Sequence, residues 1–350
     1  MDEPPPSIRF DLSRALAGLV GRKSALIYMH DNPDPDALAA ALGLGHLFER
    51  ELGVTVTLGH GGIVGRAQNR AMVDTLGMPL CPVEQIDPDA FDLIALVDSQ
   101  PETGNNSLPP GHRIDVVIDH HPVRPASARA AWCDIRPDVG ATSTIVFEYL
   151  RARGVPLDAK LATAFFFALR TETRDLGRES TGAERTAYLA LVPLVDHALL
   201  YRMSHPKVPR EHFMALDRAL RSALVFGDVV AVNLGTLYYP DLVAEIADLL
   251  LAYEGARIVL CLGEYRENVY LSLRTEADNA RAGGIMRHIV AHDGAAGGHG
   301  MMAGARLFAQ ITSEAMLEET FGEMVRRLIE TLGHPPTPGE PLLSLPPKTA

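Results

Sequence analysis

The heptapeptide His30-Asp31-Asn32-Pro33-Asp34-Pro35-Asp36 sets a histidine and three carboxylates on one short turn. Two further groups of similar chemistry follow, Asp98-Ser99 and Asp119-His120-His121. Carboxylates and water suit Mn2+ and Mg2+, and an imidazole among them shifts the preference toward transition metals including Mn2+. His30, Asp34, Asp36, Asp98 and His120 therefore compose a mixed donor set for a divalent ion. Each group has an ordinary alternative when taken singly. Asp34 and Asp36 suit the start of a helix near Ala37, and Asp-His-His after a strand is also a turn. Three such groups at the ends of three strands favour the metal reading.

Strands must do the positioning. Residues 25–29, 91–97 and 114–118 are short apolar runs, and each ends directly on one of these groups. In an open α/β sheet ligands collect in the crevice outside the carboxyl ends of the strands, which is where these side chains would stand. Residues 37–52 read as a helix despite Gly43 and Gly45, residues 54–58 as a second strand closed by Gly59-His60-Gly61-Gly62, and residues 69–76 as a short helix. Segments 141–153, 157–169 and 183–201 carry helical patterning, and the second delivers Arg170-Thr171-Glu172-Thr173-Arg174-Asp175 at its end. Pro206 and Pro209 mark a boundary. Beyond it, strand-like runs at 229–234, 257–262, 269–273 and 306–311 alternate with helical stretches at 241–253 and 280–291, which predicts a smaller α/β domain. The expected division is a metal-binding domain over 1–203, a linker and connecting helix over 204–225, a second domain over 226–333, and a Pro-rich disordered tail over 334–350.

A net charge of −12 argues against tracking of long nucleic acid, which rests on many Lys and Arg contacts to phosphate. A small anionic substrate is compatible with it if metals or a few arginines supply local positive charge. No apolar stretch reaches the roughly 18 residues that span a bilayer, and the start lacks a signal core, so a cytoplasmic chain with no membrane partner is expected. Cys81, Cys133 and Cys261 are far apart and suggest neither a disulfide framework nor a zinc site. Arg274 and His299 are candidate phosphate donors, while Gly297 and Gly298 permit close backbone approach to an anion. Arg66, after Gly61-Gly62, is a weaker candidate of the same kind.

The segments His30-x-Asn-Pro-Asp34-x-Asp36-Ala, Leu96-Val97-Asp98-Ser99, Asp119-His120-His121 and Gly297-Gly298-His299-Gly300-Met301-Met302-Ala303-Gly304 together resemble the DHH phosphoesterase family with its second, DHHA1 domain. The resemblance spans about residues 20–310 and is greatest to the two-domain subgroup that includes bacterial nano-RNases. It implies an N-terminal, mostly parallel sheet flanked by helices, a smaller C-terminal α/β domain, and an active site in the cleft between them. It also implies two Mn2+ ions, with Mg2+ or Co2+ as substitutes. His30, Asp34 and Asp98 would hold one; Asp36, Asp98, His120 and an acidic residue after the buried helix would hold the other. The family's Thr-Asp-Thr stands here as Thr171-Glu172-Thr173, so Glu172 keeps the carboxylate with one more methylene, and Asp175 is an alternative ligand. His121 would aid the leaving group or bind phosphate, Asp119 would orient the adjacent histidine, and Arg274 and His299 would grip the substrate's phosphate or terminal nucleotide. The implied reaction is two-metal hydrolysis of short oligonucleotides to mononucleotides. A phosphatase for 3′-phosphoadenosine 5′-phosphate, pyrophosphate or polyphosphate is one alternative, and a nucleotide-binding regulatory protein with a weakened site is another. A homodimer is compatible with the subgroup.

Overall fold

The computed structural model describes residues 11–177, 180–276, 282–308 and 310–343. The chain forms two compact units that divide between Pro206 and Lys207. The first holds strands β1 (Ser24–Tyr28), β2 (Thr55–His60), β3 (Leu80–Pro82), β4 (Leu93–Val97), β5 (Val116–Asp119) and β6 (Trp132–Ile135). All pair in parallel, in the order β3-β2-β1-β4-β5-β6. The order reverses between β1 and β4, so the carboxyl ends of these two strands flank a crevice at the switch point. Every residue of β4 and β5 is buried, as expected for central parallel strands covered on both faces.

The unit's helices are α1 (Leu12–Ala17), α2 (Pro35–Leu52), α3 (Ala67–Leu76), α4 (Thr142–Arg153), α5 (Ala159–Glu172), α6 (Gly182–Leu191) and α7 (His197–Ser204). α2 is central to the helical layer. Asp34 caps its start by accepting from the amides of Asp36 and Ala37, Pro35 opens the first turn, and Gly53 ends it at φ 67°. Gly43 and Gly45 lie inside this helix for a packing reason. A Cβ on Gly43 would stand 2.3 Å from Phe165 Cζ of α5, so glycine lets the two helices approach. Ile27, Leu44, Phe48, Val97, Ile118, Ile145 and Phe165 share the core beneath this layer. On the other face Leu26, Tyr28, Ile94, Leu96 and Val117 are closed in by residues between the strands such as Val83, in a 3-10 turn, Ile86 and Leu108. The helix expected over 183–201 is divided. Pro193, which cannot donate a backbone bond, lies in a 3-10 turn (Val192–Leu194), and Asp196 caps α7 anew.

The second unit begins with α8 (Arg210–Ser222) and contains β7 (Leu224–Phe226), β8 (Val229–Thr236), α9 (Leu242–Leu250), β9 (Ile258–Tyr265), β10 (Asn268–Thr275), α10 (Ala282–Val290), β11 (Gly294–His299), β12 (Met302–Leu307), α11 (Glu314–Thr331) and β13 (Glu340–Pro341). Its mixed sheet runs β11-β12-β10-β9-β8-β7-β13, with only β8 and β9 parallel. Leu260, Leu271, Leu273, Met286, Ile289, Phe321 and Leu328 form its main core. Two expectations need correction. The last core strand is Met302–Leu307 rather than 306–311, because it turns back directly after His299 to pair Gly297 with Gly304. The Pro-rich segment is also not wholly free, since Glu340 and Pro341 pair antiparallel with Val225 and Leu224 and so cover the edge of β7. Residues 344–350 of that tail lie outside the described residues. Among the described residues no helix is long and apolar enough to cross a membrane.

Candidate metal centre

Three strand ends in the first unit bring the acidic and imidazole side chains together. His30 follows β1, and its Nε2 lies 3.8 Å from Asp34 Oδ1 and 3.5 Å from Asp98 Oδ2. His120 follows β5, with Nε2 3.6 Å from Asp98 Oδ1. His121 Nδ1 is also 3.6 Å from that oxygen. Among the described residues, two groups of side chains could hold an ion with their donor atoms within 4.8 Å of one another: His30, Asp34 and Asp98, and Asp98, His120 and His121. Asp98 is common to both.

The separations from the His30 and His120 Nε2 atoms exceed a hydrogen bond, whereas two ligands about 2.1 Å from a common ion sit roughly 3–3.6 Å apart. The histidine rings are oriented for this use. His30 Nδ1 lies 2.8 Å from the carbonyl of Asp31, and His120 Nδ1 lies 3.3 Å from that of Val139, which leaves each Nε2 for an ion. Asp98 sits at φ 54°, a left-handed conformation uncommon for a non-glycine residue, while its amide still donates to Ile118 at 3.0 Å. The chain thus turns sharply without leaving the sheet.

The charge balance points the same way. Burial opposes a charge on His30, yet the Asp34 and Asp98 carboxylates beside it push its pKa well above the usual imidazole value. Burial, followed by the neighbouring charge of Asp98, raises Asp36 well above the carboxylate range, with Glu172 and Asp34 contributing. Asp98 is buried too, and the histidines around it hold its pKa far down. These are the marks of a buried, net anionic site, and the donor set fits divalent cations.

Asp36 is set apart from the two close groups by its partners. Its oxygens accept from the amides of Thr142 at 2.7 Å and Ser143 at 2.9 Å, the first residues of α4. Thr142 Oγ1 also donates to Asp98 Oδ1 at 2.9 Å. Glu172, the last residue of α5, is close enough to Asp36 to raise its pKa, but belongs to neither close ligand group. Asp175, the alternative, instead pairs with Arg170. Asp119 also stands outside both groups: Oδ1 accepts from the amides of His120 and His121 and from His121 Nδ1 at 2.8 Å, and Oδ2 accepts from Gln100 Nε2. Both of its oxygens are thereby engaged. His121, expected to aid the leaving group or bind phosphate, joins a ligand-competent group, and its pKa rises to about 9 because the carboxylates of Asp119 and Asp98 outweigh the cost of burial.

Gln100, Thr142 and Ser143 escape sequence reasoning. Thr142 and Ser143 stand more than 100 residues from the Asp36 they hold, and no spacing announces that contact.

In the second unit Arg274 is buried on the sheet face that bears α9, with Nε 2.8 Å from Asp248 Oδ1 and Nη1 donating to Ser272 Oγ and the Leu273 carbonyl. Gly297 and Gly298 lie in β11, Gly298 at φ 149°. β11 ends at His299, whose side chain lies outside the described residues.

An α/β sheet that gathers one carboxylate between two histidine-bearing ligand groups at its switch point is the architecture of a metal-centred hydrolytic domain. Residues 24–169 match the DHH family N-terminal domain, and residues 227–332 match the DHHA1 domain. The chain belongs to the DHH phosphoesterase family. An uncharacterized protein of Methanocaldococcus jannaschii is 30% identical over 315 residues, which are 88% of this chain and 64% of that protein. A probable manganese-dependent inorganic pyrophosphatase of Staphylococcus aureus is 26% identical over 147 residues, 42% of this chain and 47% of that protein. The chain thus spans less than two thirds of the length of these relatives. The solved structure of an exopolyphosphatase-related protein from Bacteroides fragilis shares the fold, with a TM-score of 0.71 at 15% identity, covering 92% of this chain and 96% of that one.

Proposed function

We propose that the chain is a Mn2+-dependent phosphoesterase that releases mononucleotides from short oligonucleotides. The observation that supports this most is Asp98, whose two oxygens face different ligand groups, Oδ2 toward His30 and Oδ1 toward His120 and His121. His30, Asp34 and Asp98 would hold one ion; Asp98 and His120, with Asp36, His121 or Glu172, would hold the second. When bound, such ions lower the pKa of a water and offset charge on phosphoryl oxygens. The protein's own groups supply the rest. Asp119 keeps a proton on His121 Nδ1 and leaves Nε2 to serve the departing oxygen or the second ion. Asp34 is fixed by the amides of α2, and Asp36 by those of α4, so the acidic side chains are held before any ligand arrives. Arg274, Gly297, Gly298 and His299 are proposed to recognise the substrate's phosphate or terminal nucleotide.

The manganese-dependent pyrophosphatase relative favours a second reading with the same centre, cleavage of pyrophosphate or polyphosphate. Metal-stripped protein given a 5′-labelled dinucleotide and increasing Mn2+ tests the first. Mn2+-dependent release of mononucleotide is expected. No release, with turnover of pyrophosphate in its place, selects the second, and nucleotide binding without hydrolysis of either marks a regulatory protein.

A further inference from the structure

Gln100 carries no charge and lies in neither ligand group, yet it is completely buried two residues beyond Asp98. Its amide has one orientation that satisfies its surroundings. Oε1 accepts from the Arg124 amide at 2.7 Å and from Ser127 Oγ at 2.9 Å, so Nε2 must face the other way. There it donates to Asp119 Oδ2 at 2.6 Å and to the Pro122 carbonyl at 3.2 Å. The other carboxylate oxygen, Oδ1, accepts from the amides of His120 at 2.8 Å and His121 at 3.2 Å and from His121 Nδ1 at 2.8 Å. Both oxygens of Asp119 are therefore fixed, and the carboxylate cannot rotate without breaking several bonds at once.

We infer that Gln100 is a positioning residue for the metal centre: it locks Asp119 so that His121 keeps its proton on Nδ1 and offers Nε2, and so that the adjacent His120 holds its backbone geometry. The inference rests on the metal-centre reading above. The loop that contains Gln100 adds to it. At its far end the Asn105 carbonyl accepts from the Asp31 amide at 2.7 Å, and Ser107 donates to the Asp31 carboxylate through N at 2.8 Å and Oγ at 2.6 Å. One loop, residues 99–107, thus ties the turn bearing His30 to the turn bearing His120 and His121. Within it Ser99 and Thr103 bond to Asn105, and Asn106 donates to Ser99 Oγ and the Gln100 carbonyl, so the brace is hydrogen-bonded along its length.

A buried glutamine that only satisfies its loop would affect stability; a positioning glutamine also sets metal affinity in a way that depends on hydrogen-bond polarity. Gln100→Glu keeps the acceptor for Arg124 and Ser127 but turns a carboxylate oxygen against Asp119. Asp119→Asn keeps the acceptor for the histidine turn but sets an NH2 against the NH2 of Gln100. The double variant reverses the pair, with the introduced amide at position 119 donating to the introduced carboxylate at position 100; it keeps the net charge and the bonds to Arg124, Ser127 and the histidine turn, and shares with Gln100→Glu the loss of the donor to the Pro122 carbonyl. Mn2+ binding is measured by calorimetry on the full metal-stripped chain, with melting temperatures recorded alongside. Each single variant is expected to bind Mn2+ about tenfold or more weakly, the scale of losses when a ligand's outer partner is removed. The double variant is expected to recover to within about threefold of the wild type, closer than either single change. Additive losses in the double variant, or unchanged affinity in Gln100→Glu, overturn the inference. If one single variant fails to fold, the other and the double still decide between recovery and additivity. A wild type that binds no Mn2+ overturns the metal-centre reading itself, and this inference with it.

Discussion

The Thr142 hydroxyl donates to Asp98 Oδ1 at 2.9 Å, and the same residue's amide donates to Asp36 Oδ2 at 2.7 Å. One buried residue at the start of α4 therefore holds two acidic side chains, one directly after β4 and one in the first turn of α2. Helix N-terminal amides favour negative charge, which offsets part of the repulsion between two acidic groups brought this close in the interior.

Thr142→Val keeps the amide and the shape but removes the hydroxyl. The buried Asp98 oxygen then loses a donor, which costs roughly 1–3 kcal/mol of metal-free stability. Thr142→Ser restores the donor and most of the loss. Urea unfolding in chelator measures both, and equal stability of the Val and Ser variants would contradict the role given to the hydroxyl.

Asp98→Asn tests the shared ligand. Because Asp98 belongs to both groups, its loss should weaken Mn2+ binding by more than the roughly 10–100-fold that an outer partner supplies, and should abolish turnover. His120→Ala, which touches one group, should leave part of the binding. A titration of Mn2+ into both proteins compares them, and near-normal turnover by Asp98→Asn removes the two-ion assignment.

Glu184 gives a pH-dependent test away from the ligands. It is fully buried in α6, where Oε1 accepts from the Gly140 amide at 3.0 Å and Oε2 from the Thr181 amide and hydroxyl. Burial would raise its pKa, but these donors together bring it below the ordinary value of 4.5. A depressed folded pKa contributes stability that is present above 4.5 and lost as pH falls through the folded value. The stability gap between wild type and Glu184→Gln should be constant near neutral pH and shrink in acid. Gly140 leads into Thr142, so the variant should also loosen Mn2+ binding. A gap that widens in acid would reverse the assignment.

Much of this site is legible in the sequence, and the reason is local. β1, β4 and β5 are continuous apolar runs because both faces are covered, and each ends within a residue or two of its ligands. Chain direction alone then gathers His30, Asp98 and His120. The braces are not local: Gln100 reaches Asp119 across 19 residues and Thr142 reaches Asp36 across 106, with ordinary polar side chains or amides that carry no pattern. In the second unit β11 is glycine and alanine in all but its last residue, so it has no alternation to read. β3 is too short to register, whereas α11 is legible from its face of Leu317, Phe321, Met324 and Leu328, which has clear helical spacing.

Gly297 and Gly298 separate backbone need from ligand contact in the second unit. A Cβ on Gly298 would lie 2.3 Å from the Met302 carbonyl oxygen and its φ is 149°, so Gly298→Ala must distort the β11 and β12 hairpin and should destabilise that unit by about 1–3 kcal/mol. Among the described residues a Cβ on Gly297 meets nothing within 4 Å. Gly297→Ala should therefore melt within about 0.5 kcal/mol of the wild type, as surface changes usually do. If the open space beside Gly297 is where the substrate's phosphate or nucleotide approaches the backbone, this variant raises KM severalfold while Mn2+ binding by the first unit stays unchanged. Steady-state kinetics on the dinucleotide, with Mn2+ calorimetry as the control, reads both quantities. An unchanged KM in a protein that folds and binds Mn2+ normally would take Gly297 out of substrate recognition.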